Sequence, residues 1–181
     1  MKVLFDRVMH FKRKINRLLG GSEIDKLRKR GVTIGENVHI FATYIDPLFP
    51  FLITIGDNVT LTDVKILAHD ASTYKELGYT KFGKVTIGND VFIGAKTVIL
   101  PNVNIGNKVI IGAGSIVGKN IPDNTVAVGN PCHPICSYDE YMAKHRNAIT
   151  NIGCINKKPG ELTAEEIQFL REHHIGIGYI K

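Results

Sequence analysis

The chain has 181 residues, 44% of them hydrophobic, enough apolar material for one packed domain with at most a small appendage. No apolar run reaches the ~18–20 residues that span a bilayer, and Asp6 and Arg7 break the apolar start where a secretory leader would continue. A net charge of +6 favours an anionic partner without choosing among nucleic acid, a membrane surface and a phosphorylated ligand.

In chain order, residues 2–19 place Val3, Leu4, Val8, Phe11, Ile15, Leu18 and Leu19 at helical spacing with basic residues between them. This predicts an amphipathic helix within an N-terminal cap, residues 1–30, that covers the open edge of the strands expected beyond residue 30. The alternative is a basic helix lying on an anionic membrane.

From residue 31 a six-residue period takes over. Ile34-Gly35, Ile40, Ile55-Gly56, Leu61 and Leu67 share its phase. After residue 84 it becomes regular: Ile87-Gly88, Ile93-Gly94, Ile99, Ile105-Gly106, Ile111-Gly112 and Val117-Gly118. A helix requires a period of 3.6 and a hairpin sheet a period of 2, so neither fits. Units six residues apart also leave no room for crossover helices. Each unit reads as a short strand and a corner, three units making one triangular coil around stacked aliphatic side chains. Glycine at the corners is expected to supply unusual backbone angles, and several coils are needed because each covers its neighbour's apolar face.

Two segments interrupt the period. Residues 44–50 are turn-rich, and residues 70–84 form a polar insertion directly after His69, expected to leave the coil as a surface loop. After residue 135, Ser137–Ala148 and Leu162–His174 read as helices of a C-terminal extension, residues 136–181, with capping-box spacing at Thr163 and Glu166. Cys132, Cys136 and Cys154 make no disulfide framework and suit reduced thiols in a cytosolic protein.

The repeat, the Asp46-Pro47 to Gly56 segment, Ile66-Leu-Ala-His69-Asp70 and Val128-Gly-Asn-Pro131 resemble the hexapeptide-repeat acetyltransferases, over roughly residues 30–135. Within them the chain is most similar to the polysaccharide O-acetyltransferases, with maltose and galactoside acetyltransferases as cousins. The resemblance implies a mainly β fold, a left-handed parallel β-helix over residues 31–135, although parallel crossovers are nearly always right-handed. It implies acetyl-CoA as co-substrate, no metal, and a homotrimer with its sites between subunits, roofed by the 70–84 loop. The acceptor it implies is a saccharide or lipid-linked glycan, and the setting is cytoplasmic, with possible peripheral membrane contact through the basic N-terminal helix.

Acyl transfer to an alcohol needs a base, an oxyanion donor and a held thioester. Imidazole suits the first because it titrates near neutrality, and of seven histidines His69 matches the family's catalytic position. Asp70 is expected to point away from it, since neighbours on an extended chain face opposite sides. Asp46 lies in a segment with which family members contact the acceptor, so it is assigned to substrate binding; orienting the base, or merely opening the turn before Pro47, are alternatives. The oxyanion donor is expected to be a backbone N–H near Ala95. Ala95, Ala113 and Lys119 match residues that contact coenzyme A. His133 stands where the cousins carry Arg or Lys, which weakens that phosphate contact.

Two other readings remain open. A carbonic anhydrase of the same repeat needs three histidines around a metal, and His39 and His69 have no third at repeat spacing. A non-catalytic β-helix that scaffolds or binds ligands would have no use for His69, its loop and Lys119. Nucleic-acid binding rests on charge alone, because the basic residues lack aromatic platforms among them.

Overall fold

The computed structural model describes residues 22–181; the helix expected over residues 2–19 lies outside them. The described chain opens with helix α1 (Glu23–Lys29), whose N-cap Ser22 and Asp25 form a reciprocal capping box. Leu27 on this helix is buried, and Arg28 donates to the Ile34 and Gly35 carbonyls at 2.8 and 2.6 Å. Helix α1 thus ties itself to the first coil.

Strands β1 (Thr33–Ile34), β2 (His39–Phe41) and β3 (Tyr44–Ile45) form that coil. The second contains β4 (Ile53–Ile55), β5 (Thr60–Thr62) and β6 (Lys65–Ile66). A hairpin of β7 (His69–Asp70) and β8 (Lys81–Phe82) comes next, with the short helix α2 (Tyr74–Leu77) at its tip. The third coil contains β9 (Val85–Ile87), β10 (Phe92–Ile93) and β11 (Val98–Ile99). The fourth contains β12 (Asn104–Ile105), β13 (Val109–Ile111) and β14 (Ile116–Val117), before β15 (Thr125–Val128) and the antiparallel β16 (His133–Ser137).

Every third strand of the coils joins the same parallel sheet, in the orders β1-β4-β9-β12, β2-β5-β10-β13-β15 and β3-β6-β11-β14. The chain therefore winds around three faces, and like residues stack from coil to coil. Ile34, Ile55, Ile87 and Ile105 form one aliphatic column. Leu61, Ile93 and Ile111 form another, and Ile66, Ile99 and Val117 a third. From the second coil onward these side chains are 0–1% exposed. Each fully buried one contributes about 1.5–3 kcal/mol.

The corners work differently from the sequence expectation. Gly35, Gly56, Gly88 and Gly106 do not supply the left-handed backbone. A Cβ on Gly88 would stand 2.6 Å from the Gly106 carbonyl oxygen, and one on Gly56 2.7 Å from that of Gly88, so these positions require glycine because successive coils touch there. The positive φ falls two residues later, on Asn37, Asn58, Asp90 and Lys108, mostly the residue types that tolerate it. Between them a side-chain ladder runs down the edge: Asp57, Asn89, Asn107 and Asp123 each accept the backbone N–H of the preceding coil's corner at 2.7–2.8 Å.

By contact the chain divides into two compact units, the first ending at Tyr138 and the second Asp139–Lys181. The second contains helix α3 (Tyr138–Ile152, from its second residue) and helix α4 (Ala164–His173), whose Thr163–Glu166 capping box is formed as expected. No helix among the described residues is long and apolar enough to cross a membrane, and the three cysteines are unpaired.

Candidate active site

The site begins with register. Because β3 pairs in parallel with β6, Ile45 against Ile66, the next residue, Asp46, is laid beside Leu67 and Ala68 and reaches His69. Its side chain is 0% exposed. One oxygen, Oδ1, accepts the N–H groups of Leu48 at 3.0 Å and Phe49 at 3.3 Å, closing the turn that leads into the 3-10 segment Pro50–Leu52. The other, Oδ2, accepts the Ala68 N–H at 2.9 Å and meets Nδ1 of His69. Burial alone would raise the carboxyl pKa. The hydrogen bonds from His69, Ala68, Leu48 and Phe49 outweigh it, so the pKa lies below its ordinary value and the group is a carboxylate at neutral pH.

Asp46, assigned to substrate binding, thus has both oxygens occupied and no exposed surface, and its contact with Nδ1 is the one that its alternative role of orienting His69 requires. Asp70 points away, as expected. It accepts the Ser72 N–H at 2.8 Å and pairs with Lys81 across the hairpin at 2.6 Å, and the Lys81 hydrogen bond draws its pKa down to about 2.

Two aromatic residues that sequence reasoning missed lie beside His69, one against its ring and the second stacked on the first. The Phe49 ring lies 5.3 Å from that of His69, and Phe82 stacks on Phe49 at 5.6 Å with an interplanar angle of 8°. Phe82 is the residue directly opposite His69 in the β7–β8 pairing. Its signal was hidden because residues 70–84 show no alternation of apolar and polar residues that would reveal a hairpin.

The residues expected to hold coenzyme A do not all join His69. Ala95 and Ala113 stack at the turn between the second and third faces, where Gly114 donates its N–H to the Ala95 carbonyl at 2.8 Å. Gly94 and Gly112 spend their N–H groups on the next coils, whereas among the described residues those of Ala95 and Ala113 meet no protein acceptor. Gly114, at φ 73°, has open space where a Cβ would stand. This strip of bare backbone fits a slender, amide-containing chain such as pantetheine. Lys119 belongs to the other edge, between the third and first faces, as does His69. It is exposed and has no ion-pair partner among the described residues. His133 is exposed on β16, its Nδ1 3.1 Å from the Pro131 carbonyl. Among the described residues no group of three or more His, Cys, Asp or Glu is arranged to hold a metal ion.

The bacterial transferase hexapeptide (six repeats) family model matches residues 84–119. Protein CapG of Staphylococcus aureus is 42% identical over 151 residues, covering 80% of this chain and 83% of CapG. The chain belongs to the hexapeptide-repeat transferase family. Galactoside O-acetyltransferase of Escherichia coli (strain K12) is 41% identical over 110 residues, 56% of this chain and 54% of that enzyme, so the chain spans about half the length of this relative. Among solved structures, galactoside acetyltransferase in complex with coenzyme A is 32% identical with a TM-score of 0.53, covering 67% of this chain and 74% of that one. The acetyltransferase VCA0836 of Vibrio cholerae, complexed with acetyl coenzyme A, is 26% identical with a TM-score of 0.54, covering 60% and 61%. Membership makes this chain an acyltransferase, and these two structural neighbours were solved with coenzyme A and with acetyl coenzyme A bound.

Proposed function

We propose that the chain is an acetyl-CoA-dependent O-acetyltransferase acting on a saccharide hydroxyl, with His69 as general base. The observation that carries this is the imidazole held at Nδ1 by a fully buried carboxylate. The acceptor oxygen attacks the thioester carbonyl carbon while Nε2 of His69 takes its proton. Backbone N–H groups at Ala95 and Ala113 steady the oxyanion and the pantetheine amides. The tetrahedral intermediate collapses by breaking the C–S bond, and the proton on His69 passes to the departing thiolate to give free coenzyme A. Asp46 is a positioning residue: it holds the tautomer and stabilises the transient imidazolium.

In this reading the coil is left-handed and the assembly is a homotrimer. The division of labour between two edges supports a site shared by neighbouring copies, one supplying His69 and the other the Ala95–Ala113 turn. Lys119 meets a coenzyme phosphate, His133 stands at its periphery, and α1 belongs to an N-terminal cap of residues 1–30. The enzyme is cytoplasmic, serving a glycan acceptor at the inner membrane face; liposome flotation of the full chain tests that placement.

His69→Ala is expected to lower turnover about 10²–10⁴-fold while acetyl-CoA affinity, measured by calorimetric titration, stays within about twofold. Unchanged turnover would reject His69 as the base. Absence of acetyl-CoA binding by the wild-type chain would favour the scaffold reading instead.

A further inference from the structure

Building on that reading of the site, we propose that Phe82, backed by Phe49, is the platform on which a pyranose ring of the acceptor lies while its hydroxyl meets His69. Phe82 leaves 65% of its surface in water, so most of an apolar ring on the hairpin that carries His69 is open to a ligand. Its position relative to the base is fixed from three sides. It stands opposite His69 in the hairpin register. The Asp70–Lys81 pair at 2.6 Å closes the next rung, and Gly83 donates its N–H to the Ala68 carbonyl at 2.9 Å, returning the strand to the coil. The parallel stack on Phe49, itself against the imidazole, holds the second face of the ring.

The chemistry of that surface selects a substrate class. A phenyl face carries negative charge density and attracts the positive edge of polarised C–H bonds. A pyranose presents such bonds together on one face and hydroxyls at its rim, so seating it on Phe82 turns rim hydroxyls toward the neighbouring imidazole. An acyclic alcohol or amino alcohol has no comparable face. Phe82 is therefore an acceptor-specificity residue, selecting cyclic sugars over short open-chain hydroxyl compounds.

The test compares Phe82→Ala and Phe82→Tyr with the wild-type full chain. The probes are methyl hexopyranosides, their N-acetylamino forms, glycerol and serine, with release of the coenzyme A thiol as readout. Phe82→Ala is expected to raise the pyranoside KM about tenfold, while the Kd for acetyl-CoA and the oligomeric state in solution are retained. Phe82→Tyr, which keeps the ring, should stay near wild type. A pyranoside KM unchanged in Phe82→Ala overturns the platform and leaves the acetyltransferase reading intact, as does a defect accompanied by altered assembly. Wild-type transfer to glycerol or serine but to no pyranoside overturns the platform and the saccharide acceptor together. Failure of the wild type to release thiol with any acceptor overturns the acetyltransferase reading itself.

Discussion

Asp46 does at the scale of one residue what no neighbour of His69 in sequence can do. The adjacent Asp70 is turned to Lys81, and the partner that fixes the imidazole comes from the preceding coil. In Asp46→Asn, an amide N–H facing Nδ1 would force the ring proton onto Nε2 and disable His69 in its proposed role as base. The expected outcome is a fall in kcat of about 10²-fold or more with the acetyl-CoA KM retained. Asp46→Glu, which keeps the charge, should restore part of the rate; a merely structural role would show no such split. The carboxylate also links stability to acid. Its folded pKa is depressed from an ordinary value of 3.8, so its contribution is fully present above pH 3.8 and disappears as pH falls through the lower, folded value. The part of the thermal-midpoint gap between wild type and Asp46→Asn that the ionised carboxylate contributes should therefore be lost only below about pH 4.

Among the elements, the corner separates two uses of small residues that the sequence leaves mixed. Gly88→Ala drives a Cβ into the Gly106 backbone at 2.6 Å and should cost about 1–3 kcal/mol, read as a lowered thermal midpoint. Asp90→Gly, two residues on at φ 57°, should stay within about 1 kcal/mol of wild type, because glycine adopts that backbone freely. The six-residue period was legible because each turn of chain buries one aliphatic residue per face, and His69 was legible from its motif. The reason for the corner glycines was not, since close approach belongs to the stacking of coils rather than to any single turn. The Asp46–His69 contact was half legible. The two residues are about one coil apart, but the intervening 3-10 turn stretches the coil to 21 residues, Ile34 to Ile55, against 18 from Ile87 to Ile105. The aromatic wall was not legible at all, because Phe82 gains its position from a two-residue pairing inside the insertion.

At the scale of the whole molecule, the proposed site draws on two edges of the coil. His69 and Lys119 share one edge, and Ala95 and Ala113 another. Strands of the third face, β6 and β11 among them, separate the two. In the proposed homotrimer, a closed ring of identical subunits, each interface is heterologous and would present one edge of a copy to the other edge of its neighbour. A lesion on either edge then destroys different halves of the site. His69→Ala removes the proposed base, and Ala95→Trp fills the proposed thioester turn; each variant alone should be nearly inactive. Random reassembly of equal amounts gives each interface one chance in two of an intact His69 and, independently, one in two of an intact Ala95 turn. About a quarter of the wild-type sites should return, measured as coenzyme A thiol release after unfolding and refolding the mixture. If one chain held both halves, every site in the mixture would retain one lesion, and no activity would return.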